Sequence, residues 1–112
     1  MNITIRFLSM HTSIALRDHA RGRVESHLGR LAQAITHVVV RVRDINGPTG
    51  GVDKVCSVTV RGSKLGLLTV EELSSDPYAA VDAALARMSS AVARGIERAR
   101  SSERGHLTRR SA

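Results

Sequence analysis

Aromatic side chains are nearly missing from this chain of 112 residues: they make up 2% of it, Phe7 and Tyr78, with no tryptophan. That excludes a platform for stacking unpaired bases and leaves the core to Val, Leu, Ile and Ala. Cysteine occurs once, as Cys56, so no internal disulfide can form, which fits a reducing cytoplasm. No apolar run approaches the roughly 20 residues of a membrane span. Arg6 and its polar neighbours interrupt the N-terminus before a signal-peptide apolar region forms. Neither a membrane partner nor a secretory leader is expected. Lysine is also scarce. Of seventeen basic residues only Lys54 and Lys64 are not arginine, against ten acids, for a net charge of +7.

That imbalance is the first positive signal. Arginine presents a planar fork of donors that suits phosphate, and an excess of it points to an extended polyanion as partner. Net charge for solubility alone is the plainer explanation. The length suits one domain with a modest core.

Two periodicities organise the chain. Residues 2–8 alternate, with Ile3, Ile5 and Phe7 on one side, as in a half-buried strand. Ser13 suits the N-cap of a helix running to about Ala34, with Leu16, Ala20, Val24, Leu28, Leu31 and Ile35 as its apolar arc. Gly22 and Gly29 each weaken that helix by roughly 1 kcal/mol, which suggests a close backbone approach. Residues 37–45 form a β-branched strand burying Val38, Val40 and Val42, and 46–51 form a turn. Strands at 55–61 and about 65–72 follow, the first burying Cys56, Val58 and Val60. The last helix opens at Asp76-Pro77, an N-cap followed by a proline where its missing N–H costs nothing. Its apolar arc is Tyr78, Val81, Leu85, Met88, Val92, Ile96 and Ala99.

The order β-α-β-β-β-α predicts an α+β two-layer sandwich: a four-stranded mixed sheet with both helices on one face. Residues 1–100 make the domain, and 101–112, where the apolar period is lost, read as a basic, frayed or disordered tail.

No reaction centre emerges. His11, His19 and His27 are eight apart, whereas metal ligands on one helix sit three or four apart. Cys56 lies on the apolar side of its strand, as a structural thiol does. Glu71 and Glu72 are adjacent in a strand and point to opposite faces. Asp76 and Asp82 suit the start of a helix. Gly47 to Lys54 lacks the Gly-Lys-Ser/Thr ending of a phosphate loop. Neither an enzyme, a small-molecule substrate, a cofactor nor a metal is expected.

The arginines are ordered instead. Arg87, Arg94 and Arg98 fall on one stripe of the last helix, roughly 140° from its apolar centre. They span about 16 Å, enough for several phosphates. Ion pairs along a solvated helix are the plainer account, but Arg94 and Arg98 repel each other at i,i+4. Arg6, Arg41, Arg43 and Arg61 share the outer side of the sheet, a second basic surface or a protein contact.

The run Asp76-Pro77-Tyr78-Ala79-Ala80-Val81-Asp82, with Ser13-Ile14-Ala15-Leu16-Arg17, resembles the two helix starts of the ribosome hibernation-promoting factor and ribosome-associated inhibitor A family, the sigma-factor modulation proteins. The resemblance covers about residues 1–100. It implies a non-catalytic fold similar to double-stranded RNA-binding domains. Such a domain docks basic helices on small-subunit ribosomal RNA, in the channel for messenger and transfer RNA, and silences translation in stationary phase or stress. Arg23, Arg87, Arg94 and Arg98 match the family's basic positions, Arg17 matches its first-helix motif, and Tyr78 resembles a core anchor. Without the dimerisation domain of long members, the chain reads as a short form or as a long form cut back. The alternative is a protein-interaction module, acting on a sigma factor or pairing weakly with itself through the open sheet face.

Overall fold

The computed structural model describes the backbone of residues 1–45 and 53–111, with side chains as far as residue 102. The turn expected at 46–51 lies outside the described residues. The elements are β1 (Asn2–Leu8), α1 (Ile14–Leu28), a 3₁₀ segment (Gly29–Ala34), β2 (His37–Asp44), β3 (Lys54–Gly62), β4 (Gly66–Ser74) and α2 (Pro77–Ser111).

The strands form one sheet in the order β1-β2-β3-β4. β1 and β2, joined by the crossover through α1, are parallel; β2–β3 and β3–β4 are antiparallel. Register follows the hydrophobic alternation, because a slip of one residue would turn every valine outward. Val38 pairs with Val60, Val40 with Val58 and Val42 with Cys56, and all six are fully buried. Both helices lie over this side, and Leu16, Ala20, Val24 and Leu28 of α1 meet Val81, Leu85, Met88 and Val92 of α2 in a single core.

Helix starts match their capping residues. Ser13 Oγ accepts from the Leu16 N–H at 3.1 Å, and Asp76 Oδ1 accepts from the Tyr78 N–H at 2.9 Å. Helix ends differ from the sequence reading. α1 stops at Leu28 instead of running to Ala34, and the chain tightens to 3₁₀ from Gly29. A poor helix former at the C-terminal turn favours that change. α2 in turn continues through Ser111, beyond the last apolar position of its period. Extending a formed helix costs far less than starting one, so the helical backbone runs on past Ala99.

The glycines are also redistributed. A Cβ at Gly22 or Gly29 would meet nothing within 4 Å, so the close approach suggested there does not exist. It occurs at Gly62, where a Cβ would fall on the Ala34 carbonyl oxygen, and at Gly95 of α2, where it would meet Leu65 Cδ2 at 2.8 Å. These two glycines let α2 and the 3₁₀ segment close on the β3–β4 turn.

Candidate nucleic-acid interface

α2 carries three surfaces around its axis. One is the apolar arc, in which Ala80 and Ala84 are fully buried beside Val81, Leu85, Met88 and Val92. Tyr78 is not the core anchor it resembles: it is 37% exposed and meets the His19 ring edge-on at 4.9 Å. Near the start of α2 the buried positions are instead Ala80, Val81 and Ala84.

The second surface faces α1. Asp82 Oδ1 takes His19 Nε2 at 2.8 Å and Arg23 Nε at 3.1 Å, and Ser89 Oγ donates to the His27 carbonyl at 3.0 Å. Asp82 therefore joins the two helices, where helical position alone suggested a carboxylate favoured by the dipole. Arg23 is spent in part on that clasp, though 46% of its side chain remains exposed.

The third surface is the arginine stripe. Asp82 and Arg87 are five residues apart, about 140° around the helix, so the stripe lies on the flank toward β4. Arg87 donates to Glu72 Oε1 at 2.8 Å and to the Glu71 carbonyl at 3.2 Å, bracing α2 on the edge strand. Its side chain is 61% exposed, and a pair so exposed contributes about 0–1 kcal/mol. Arg94 and Arg98 are exposed, and no hydrogen bond or ion pair among the described residues engages either of them. Between the stripe and the α1 flank runs a ridge of exposed small residues, Ala79, Ala83, Ala86, Ser90 and Ala93. Ala86 and Ser90 floor a shallow groove of about 390 Å³ walled by Arg87 and Arg94. The ridge recurs at spacings of four and three residues. That spacing is a sequence signal in its own right, distinct from the apolar arc and the arginines.

The structure thus brings together Arg87, Arg94 and Arg98 and separates the other two candidates. Arg23 sits in the helix–helix groove. Arg17 lies on the opposite side of α1's apolar arc, on the flank away from α2, as its spacing from Arg23 requires. The stripe presents two unpaired guanidinium groups one turn apart and a third held by a weak pair, beside a surface low enough for a phosphate backbone to approach.

A model of the family described as Sigma 54 modulation protein / S30EA ribosomal protein matches residues 3–100. The chain belongs to that family. Among solved structures, the Thermus thermophilus Protein Y N-terminal domain is similar at a TM-score of 0.67 and 23% identity, over 84% of this chain and 98% of that one. A ribosomal subunit interface protein from Coxiella burnetii is similar at 0.66 and 18% identity, over 84% and 96%. Identities this low establish the fold that the family shares. No curated protein sequence matches the chain.

Cys56 is buried, and burial pushes its thiol up to about 12, so the nucleophilic thiolate is absent near neutral pH. Among the described residues no group of three or more His, Cys, Asp or Glu side chains can hold a metal ion, and no helix is long and apolar enough to cross a membrane.

Proposed function

We propose that this chain is a ribosome-associated silencing factor. It acts in the cytoplasm without catalysis. It lays the arginine stripe of α2 on small-subunit ribosomal RNA, in the channel for messenger and transfer RNA, when translation is shut down in stationary phase or stress. Residues 1–100 do the binding, and 101–112 are a basic tail to that domain. The observation that carries this reading is the pair Arg94 and Arg98: aligned, exposed, uncompensated among the described residues and set beside a ridge of small side chains. A helix selected only for stability would pair or disperse those charges. Arg87 contributes a third contact by exchanging Glu72 for phosphate, and Arg23 a fourth by leaving Asp82; Arg17 is placed to touch RNA beyond α1. Family membership supports the ribosome as the polyanion, and the name of the Coxiella burnetii relative, a ribosomal subunit interface protein, agrees with it.

The test is pelleting of the purified chain with isolated small subunits at rising salt. Contacts to several phosphates require log K to fall by about 0.7–0.9 per contact per log unit of salt. An absent or salt-insensitive complex contradicts the proposal and favours recognition of a protein.

A further inference from the structure

The helices cover one side of the sheet. On the other, the strand register assembles a second basic surface. Arg6 of β1 stands directly beside Arg41 of β2, and Arg61 of β3 stands beside His37. Neighbouring strands lie about 4.8 Å apart, so Arg6 and Arg41 place two like charges side by side, an arrangement that costs stability. No hydrogen bond or ion pair among the described residues relieves Arg6, Arg41 or Arg61. The nearest acid, Glu71, reaches only Arg43, at 3.9 Å. Between the Arg41 and Arg61 rows lies a shallow depression of about 390 Å³ floored by Val39 and Thr59.

We propose that this open sheet face is a second RNA-binding surface, one that holds the phosphate backbone of an RNA duplex independently of α2. Charge complementarity selects the occupant. Four arginines face one carboxylate across some 20 Å of β2, counting about 3.3 Å per residue from His37 to Arg43. The face carries no aromatic ring on which unpaired bases would stack, so a single strand gains little there. A protein partner would meet a centre with charges unneutralised from within and no aromatic anchor. Phosphates neutralise the charges without asking anything of the bases. The choice of RNA over DNA rests on the ribosomal reading above; the surface itself does not. Because it lies opposite the helices, the domain can be held between two RNA segments.

The experiment uses the full chain and a labelled RNA duplex of about 16 base pairs, the span of a duplex-binding domain. Titrations run from about 50 to about 200 mM salt. The wild type should bind two duplexes per chain at saturation. Arg6→Gln/Arg41→Gln/Arg61→Gln should bind one, with a salt slope lower by about 2–3. Arg94→Gln/Arg98→Gln should also bind one, through the sheet. Single Arg6→Gln, which removes the like-charge neighbour and should raise Tm, keeps the test usable should the triple variant fold poorly; it should lower the slope by about 0.7–0.9. If the triple or single sheet variants bind as the wild type does while the α2 variant loses all binding, the inference is overturned and the proposed function stands. If the sheet variants lose a duplex while the α2 variant binds as the wild type does, the inference stands and the role of α2 fails. A sheet-dependent dimer that excludes RNA also overturns it.

Discussion

Gly62→Ala should be the most damaging single-methyl change in the domain, and the reason is geometric. Gly62 ends β3, buried beneath the 3₁₀ segment. The added Cβ would fall on the Ala34 carbonyl oxygen and meet Leu65 Cδ1 at 3.0 Å. The leucine can turn aside, but the carbonyl cannot: the chain on either side is pinned by the Thr36 N–H to Arg61 oxygen bond at 2.8 Å and the Leu65 N–H to Gly62 oxygen bond at 3.2 Å. Overpacking costs about 1–3 kcal/mol where neighbours can shift, and a fixed backbone oxygen places this substitution near about 3 kcal/mol. Gly29→Ala should move the other way. Gly29 has helical φ and ψ of −56° and −42° and nothing within 4 Å of a Cβ, so the change should stabilise by about 0.4–1 kcal/mol. Urea unfolding followed by circular dichroism reads both. At an m of about 1.5 kcal/mol/M, Gly62→Ala should lower the midpoint by about 2 M and Gly29→Ala should raise it by about 0.5 M. A Gly62→Ala midpoint at or above wild type, with m unchanged, would refute the close packing at this corner. It would also undermine the account of how α2 is seated, since Gly95, between Arg94 and Arg98, closes on the same Leu65.

Two further outcomes are expected. Asp82→Asn removes the carboxylate shared by His19 and Arg23; two partly exposed pairs together contribute about 1 kcal/mol, so Tm should fall by roughly 4–8 °C. Arg23 then reaches phosphate without first leaving Asp82, so small-subunit binding should tighten by up to about fivefold at an unchanged salt slope, whereas an unchanged Tm and affinity would mean that the clasp contributes nothing. Burial in the folded state pushes the Cys56 thiol from an ordinary value of 9.0 up to about 12. Between those values the folded state keeps a proton that the unfolded state loses, so stability should decline by about 1.4 kcal/mol per pH unit above pH 9. Cys56→Ala, less stable at neutral pH, should lack that part of the decline in urea midpoints measured from about pH 8 to about pH 10; parallel curves would contradict it.

What the sequence made legible was everything that depends on neighbours in the chain. The alternation of Val38, Val40 and Val42, the cap at Ser13 and the Asp76-Pro77 start are local signals, and the sheet and both helix origins follow from them. The alignment of Arg87, Arg94 and Arg98 is likewise a matter of helical rotation. What escaped depends on residues far apart. Nothing near Asp82 announces that it meets His19, which lies 63 positions earlier, and nothing near Arg87 announces Glu72 on the preceding strand. Tyr78 fits the apolar period of α2, but its ring meets His19 of α1 at the rim of the core, a contact between residues 59 positions apart that periodicity does not carry. Gly22 and Gly29 misled for a similar reason: a glycine's sequence position does not say whether anything comes close to it, and the atoms that do, at Gly62 and Gly95, belong to other elements.

The central claim is that binding runs through the unpaired guanidinium groups of α2, and it is tested most directly by two reversals of equal charge. Arg94→Glu lies on the stripe; Arg21→Glu is exposed on the flank of α1 away from α2. Both should fold as the wild type does. In pelleting with small subunits at about 0.1 M salt, Arg94→Glu should lose at least tenfold in affinity and flatten the salt slope, while Arg21→Glu should change binding by no more than a general loss of charge requires. Equal losses from the two would show that net charge, and not the stripe, holds the chain to its partner.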